Sequence, residues 1–305
     1  MAVRGKSINL FLMDGTASGR IKCTLANWTG VAYKIPRTEL EKCKERDDLK
    51  QSGVYFLFGR SEQTGDEIVY IGQAGIRKNG EGILYRLQEH KRNPDKDYWT
   101  EAIVFTTSNN SFGPTEISYL ESRFCNLATE AKRYEVKNAN DPTSGNITEE
   151  KESELEEFID YAKIVMGTLG HKVFEGLTQQ TTSGETTAPT VEAVVIFEFK
   201  RADASVRGQR TSEGFVLLQG SKISQSIKTS CPESVKKSRE RYAPKIDKDG
   251  VLLVDILFHS PNEAASFAVA GTINAQTAWQ TVDGQTLKGL ESSEIDGGNK
   301  KDGKV

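Results

Sequence analysis

Apolar and polar residues alternate in two short runs near the start of the chain, Ile8-Asn9-Leu10-Phe11-Leu12 and Ile21-Lys22-Cys23-Thr24-Leu25, with Asp14-Gly15 between them. This pattern predicts a β-hairpin. Past Pro36, residues 38–49 are charge-rich and helical in pattern, so residues 1–50 read as a hairpin-helix module that carries Trp28 and packs on the next domain. Two runs rich in Val, Ile, Tyr and Phe then flank the polar turn Thr64-Gly65-Asp66, which predicts an antiparallel pair. A helix over about 82–91, a third strand over 101–105 and a helix from about Thr115 come next. In the last of these, Ile117, Leu120, Phe124, Leu127 and Ala131 recur at helical spacing.

Beyond residue 140 the pattern changes. An acidic helix is predicted over 148–169, with Thr148 as its cap, Glu149 and Glu150 at the positive end of its dipole, and a packing stripe of Leu155, Phe158, Ile159, Ala162, Val165 and Leu169. Residues 141–178 are therefore a helical extension, and the polar, aperiodic stretch 179–190 is a linker. Val194-Val195-Ile196-Phe197 and Phe215-Val216-Leu217-Leu218 read as strands around a polar turn. Ser230-Cys231-Pro232-Glu233 and Ser260-Pro261-Asn262-Glu263 are capping boxes, and the second helix stops before Gly271. Residues 279–290, broken by Asp283-Gly284, close a separate small module over 191–290, and 291–305 have the composition of a disordered tail. The whole is α+β.

The net charge of -3 is unevenly spread: residues 1–52 carry +4 and 141–190 carry -7. Any track for phosphates must be local, so bulk charge neither supports nor excludes nucleic acid. Cys23, Cys43, Cys125 and Cys231 are too scattered for a zinc site or a disulfide framework and read as reduced thiols. No window is apolar enough to span a bilayer, and Met1-Ala2-Val3-Arg4-Gly5-Lys6 lacks a signal-peptide core, which predicts a cytoplasmic protein without membrane contact.

The chemistry concentrates in one order of residues: Tyr55 in Gly53-Val54-Tyr55, Tyr70 in Tyr70-Ile71-Gly72, then Arg86, His90 and Glu121. Arg86 and His90, four apart, share one helix face beside Ile83, Leu84 and Leu87. Arg86 has the donor fork that suits a phosphate, or else pairs with Glu89 or Glu116. An imidazole titrating near neutrality can trade protons, as His90 would, whereas His171 and His259 read as partly buried polar residues. Periodicity does not choose between Glu116 and Glu121, and the two tyrosines alone are ordinary strand aromatics.

Taken together, GVYFLFG, IVYIGQAG, YRLQEH, TEISYLESRF and Val136-Lys137-Asn138 resemble the GIY-YIG nuclease family over about residues 53–140. The resemblance implies a domain over 51–140 with a small, mainly antiparallel, three-stranded central sheet flanked by helices. It implies a catalytic set of Tyr55, Tyr70, Arg86, His90 and Glu121, in which Glu121 holds Mg²⁺ (or Mn²⁺) and Gly53, Gly72, Gln73 and Asn138 support the cleft. The chain departs from the compact pattern at residues 77–82, where Arg77 and Lys78 could meet DNA or remain solvated. Residues 191–290 resemble modules of uncharacterised function that follow such nucleases, and also RAMA domains, implying DNA or modified-base reading. There Lys236, Lys237, Arg239 and Arg241 make a helix basic, and Trp279 either stacks on a base or fills the core. The implied function is a divalent-metal-dependent DNA endonuclease of restriction, defence, repair or mobile-element biology. The rivals are a non-enzymatic DNA-binding or modified-base-sensing protein and an assembly scaffold.

Overall fold

The computed structural model describes residues 5–62, 64–77, 81–138, 147–178, 194–201, 203–229 and 231–298. They divide into two compact units, Met1–Gly176 and Leu177–Val305, a boundary next to the expected linker, which itself lies outside the described residues. Both units mix helices with sheet. All four cysteines are buried, and none is in a disulfide.

In the first unit the strands are β1 (Ile8–Leu12), β2 (Ile21–Leu25), β3 (Gly30–Pro36), β4 (Gly53–Arg60), β5 (Glu67–Ala74), β6 (Trp99–Thr107) and β7 (Glu135–Val136). They form one sheet in the order β1-β2-β3-β6-β4-β5-β7, antiparallel except for the β5–β7 pair. The expected three-stranded sheet is thus seven-stranded, and the N-terminal hairpin is no separate module: β3 links it into the sheet by pairing with both β2 and β6. Periodicity does not reveal β3, because Gly30 to Ile35 is buried almost throughout and shows no alternation. Residues 37–43 and 47–49 form short 3-10 turns where one helix was expected.

Strands β4 and β6 sit mid-sheet and are buried on both faces, hence their near-continuous apolar runs. Against one face pack α2 (Pro114–Ala131) and α3 (Glu149–Thr168), where Phe56, Phe105, Leu120, Phe124, Phe158 and Val165 share a core. Helix α2 starts as its chemistry requires, with Pro114 in its first turn and the Glu116 carboxylate accepting from Gly113 N at 3.1 Å. Thr148 Oγ1 caps α3, as predicted, by accepting from Lys151 N at 3.4 Å. The other face is covered by α1 (Ile83–Arg92) and the 3-10 turns, through Ile83, Leu84, Leu87, Leu40 and Leu49. His171 stacks on Phe58 with ring centres 3.6 Å apart, and its Nε2 meets Glu101 Oε1 at 2.5 Å, a structural role of the kind expected.

The second unit holds β8 (Ile196–Arg201), β9 (Ala204–Thr211), β10 (Gly214–Leu217), β11 (Ile256–Phe258) and β12 (Gln280–Thr281), an antiparallel sheet ordered β11-β10-β9-β8-β12. Its helices are α4 (Glu233–Tyr242), α5 (Pro261–Val269), α6 (Ala275–Ala278) and α7 (Leu287–Gly298). The polar turn expected before β10 is in fact β9. Its inward residues are Ala204, Val206 and Gly208, and Arg207 and Ser205 between them disguise it as a loop. Ser260 and Glu263 cap α5 as predicted, with Glu263 N donating to Ser260 Oγ at 3.2 Å. Ser230 lies outside the described residues, and α4 begins one residue after Pro232 without a side-chain cap. Helix α7 runs through Gly298, past residue 291 where a tail was expected; residues 299–305 lie outside the described residues. Trp279 belongs to the core: its ring centre is 4.6 Å from those of Phe199 and Phe215, and its Nε1 donates to Pro261 O at 3.1 Å.

Candidate active site

Antiparallel register sets Tyr55 opposite Gly72 and Leu57 opposite Tyr70, so both tyrosines project from the α1 face of neighbouring strands. Their ring centres are 6.3 Å apart. The hydroxyl of Tyr55 occupies the space above Gly72, where a Cβ would overlap it. Gly53 is equally constrained, since a Cβ there would meet the Phe105 carbonyl and the Ile83 side chain. Both glycines are therefore needed for close approach, as expected.

Helix α1 brings His90 and Arg86 over the tyrosines. The Tyr55 hydroxyl and His90 Nε2 are 2.6 Å apart, and the His90 ring lies 5.4 Å from that of Tyr55 and 5.3 Å from that of Tyr70. His90 is 4% exposed. Burial, reinforced by the cations Lys96 and Arg86, lowers its pKa to about 3. The expectation of an imidazole titrating near neutrality is therefore corrected: the ring is neutral at pH 7, and its Nε2 shares a hydrogen bond with the Tyr55 hydroxyl whose direction follows the ring's tautomer. Burial raises the pKa of Tyr55 and of Tyr70, while Arg86 acts on both in the opposite sense. Arg86 also pairs with Glu89 at 2.8 Å, the alternative partner read from the sequence, and this pairing holds its own pKa above the usual arginine value.

Glu121 reaches the site from the other face of the sheet, on α2. The two sides meet because β7 pairs only Ile68 and Val69 of β5, so the β5 edge ends its ladder just before Gly72 and Gln73. Gln73 Nε2 donates to Glu121 Oε2 at 2.9 Å. Burial raises the Glu121 pKa, against the smaller effects of Gln73 and Arg86. Asn138 continues the ladder with its side chain: Oδ1 accepts from Ile71 N at 3.1 Å and Nδ2 donates to Ile71 O at 2.7 Å. It supports the cleft edge through backbone pairing.

All five residues of the motif thus converge on the Gly72 edge. Among the described residues no group of three or more His, Cys, Asp or Glu could hold a metal. A hard divalent ion that keeps its waters needs fewer: one half-buried carboxylate, held by Gln73, fits such an ion together with phosphate oxygens.

The remaining cations divide. Arg77 is tied to Glu89 at 2.9 Å, and Lys78 lies outside the described residues. Lys236 pairs with Glu233 at 3.4 Å, and Lys237 and Arg241 are exposed. Arg239 leaves the DNA-facing set: its guanidinium donates to Phe267 O at 2.8 Å, Ser224 O at 2.7 Å and Ala268 O at 3.3 Å, a structural peg inside the second unit. A lysine that the sequence pattern does not single out, Lys96, sits with its Nζ 3.5 Å from the Tyr70 ring centre. Its signal is faint, a cation in a Pro-containing turn one step past the helix that carries Arg86 and His90.

Residues 197–291 match the family described as a domain of unknown function (DUF4357), which agrees with a C-terminal module of uncharacterised function. No curated protein and no solved structure matches the chain. No helix among the described residues is long and apolar enough to cross a membrane.

Proposed function

We propose that the first unit is a GIY-YIG-type endonuclease centre that hydrolyses DNA phosphodiesters, with the second unit contributing to target choice. The observation that carries this reading is the convergence of Tyr55, Tyr70, Arg86, His90 and Glu121, drawn from two strands and two helices, on one open sheet edge.

Hydrolysis forms a bond from water oxygen to phosphorus and breaks the bond to a sugar oxygen. Tyr55 orients the water and takes its proton while passing its own to His90 Nε2, so a phenolate need not persist in a buried position. Phosphate charge in the cleft opposes the depression of His90 and favours that transfer. Arg86 and the hydroxyl of Tyr70 hold the non-bridging oxygens on which charge grows. Glu121, oriented by Gln73, would hold Mg²⁺ or Mn²⁺, which when bound supplies positive charge for the phosphate and the departing oxygen. The sugar oxygen leaves with a proton from solvent.

The test is nicking of plasmid DNA in Mg²⁺ by the full chain beside Glu121→Ala. Nicking by the wild type alone is the expected result. Nicking by both would mark a contaminant, and DNA binding without nicking on any substrate would favour a non-enzymatic reader.

A further inference from the structure

Two cations, Lys96 and Arg86, lie near Tyr70, and of these Lys96 has no carboxylate in contact among the described residues. The ammonium of Lys96 rests over the Tyr70 ring at 3.5 Å, is half-buried, and has no ion-pair partner among the described residues. Arg86 faces it from α1, and the Glu89 carboxylate that pairs with Arg86 is shared with Arg77. Of the nearby acids, Asp97 is bound to Arg37 at 2.7 Å, Asp95 is exposed, and Glu121, whose charge acts on Tyr70, is held by Gln73 at 2.9 Å. His90 is neutral, and Tyr70 and Tyr98 keep their protons, since burial raises the pKa of both.

The turn that presents this lysine is built. Asn93 Oδ1 accepts from Asp95 N at 2.9 Å, and Arg37 donates to the carbonyls of Lys91, Asp97 and Trp99 at 3.2, 3.0 and 3.2 Å. The Arg37 guanidinium in turn lies 4.9 Å over the Trp99 ring. A merely solvated lysine needs no such clamp. An unpaired ammonium held over a phenol in a partly desolvated cleft is a cost to folding that an anionic ligand would offset.

We propose that Lys96 is a catalytic residue of this site, a second cationic contact that works with Arg86 on the sugar-phosphate backbone at the scissile position. The inference rests on the nuclease reading above. The ligand class is a phosphodiester of nucleic acid, held between an ammonium on one side of Tyr70 and a guanidinium on the other. Burial and, secondarily, Arg86 lower the Lys96 pKa to about 8 in the free protein, and a bound phosphate would oppose that depression and keep the ammonium charged in the complex.

The experiment compares full-length wild type, Lys96→Met and Lys96→Arg on a short labelled duplex. Binding is measured with Ca²⁺ in place of Mg²⁺ across roughly 50–200 mM salt, and single-turnover cleavage with Mg²⁺ across pH 6 to 9. Lys96→Met should lose roughly 10²-fold in cleavage rate, the size of effect seen when one donor to a transition-state charge is removed. It should also flatten the logarithmic salt slope by about 1. Lys96→Arg should keep the wild-type slope, and with duplex below saturation, where the rate reports the free protein, the fall in rate expected of wild type above about pH 8 should move to higher pH. Equal melting temperatures check folding, and Lys96→Arg serves where Lys96→Met is unstable. Cleavage and salt slope of Lys96→Met equal to wild type would overturn the role of Lys96 alone. A wild type that neither binds nor cuts DNA would overturn both readings.

Discussion

Acidification should loosen the first unit through one buried imidazole. His90 titrates near 6.5 in the unfolded chain, and burial, with Lys96 and Arg86 adding to it, takes it to about 3 in the folded site. Between those values the unfolded chain binds a proton that the folded one refuses, so the stability due to neutral His90 is complete above pH 6.5 and drains away as pH falls. At pH 5, about 1.5 pH units below the unfolded value, the loss is about 2 kcal/mol at ~1.4 kcal/mol per unit. The control is His90→Gln, which keeps a hydrogen-bonding partner for the Tyr55 hydroxyl and cannot titrate. Two of the three tryptophans, Trp28 and Trp99, lie in the first unit, so urea unfolding followed by fluorescence reports mainly on it. From pH 7 to 5 the wild type should lose about 2 kcal/mol more than His90→Gln. Parallel loss in the two proteins, or an NMR signal of His90 titrating near 6.5, would refute the reasoning.

Two more outcomes are set by packing. Gly72→Ala should displace the Tyr55 hydroxyl from His90, cost about 1–3 kcal/mol of stability and remove most DNA cleavage; thermal melting and a nicking assay check this, and a variant as active as wild type would show that the close approach is unnecessary. Arg239→Met should destabilise the second unit by about 1–3 kcal/mol, because Ser224 O loses its donor while Phe267 O and Ala268 O keep only their backbone ones, and the DNA affinity of the folded fraction should stay unchanged; a stable variant with weakened DNA binding would return Arg239 to the nucleic-acid surface.

Local chemistry is readable wherever one element can be judged by itself. The caps at Thr148 and Ser260 need only their own next turn, so both are visible as residue types at fixed spacing. The pairing of the two tyrosine strands is legible as two apolar runs around a polar turn. The motif residues can be named, too, since their order along the chain survives folding. Sheet size is not readable: β3 has no alternation because both its faces are covered, and β9 looks like a loop because its charged residues face outward. Arg239 reads as a surface cation because a guanidinium that ends on carbonyls of a distant helix looks no different in sequence from one in water.

The chain's residue types and spacings thus set which side chains were available for the chemistry and most of the helices and strands, though not β3, β9 or the 3-10 turns after Pro36. Packing set their states. Burial, which the assembled sheet and helices impose, made His90 a neutral imidazole and raised the pKa of Glu121 against the opposing effects of Gln73 and Arg86. Lys96 entered the site only when a clamp from Arg37, 59 residues earlier, held its turn against Tyr70. Hydrogen-bonding and hydrophobic periodicity act over a few residues, whereas burial and electrostatic fields are properties of the assembled fold.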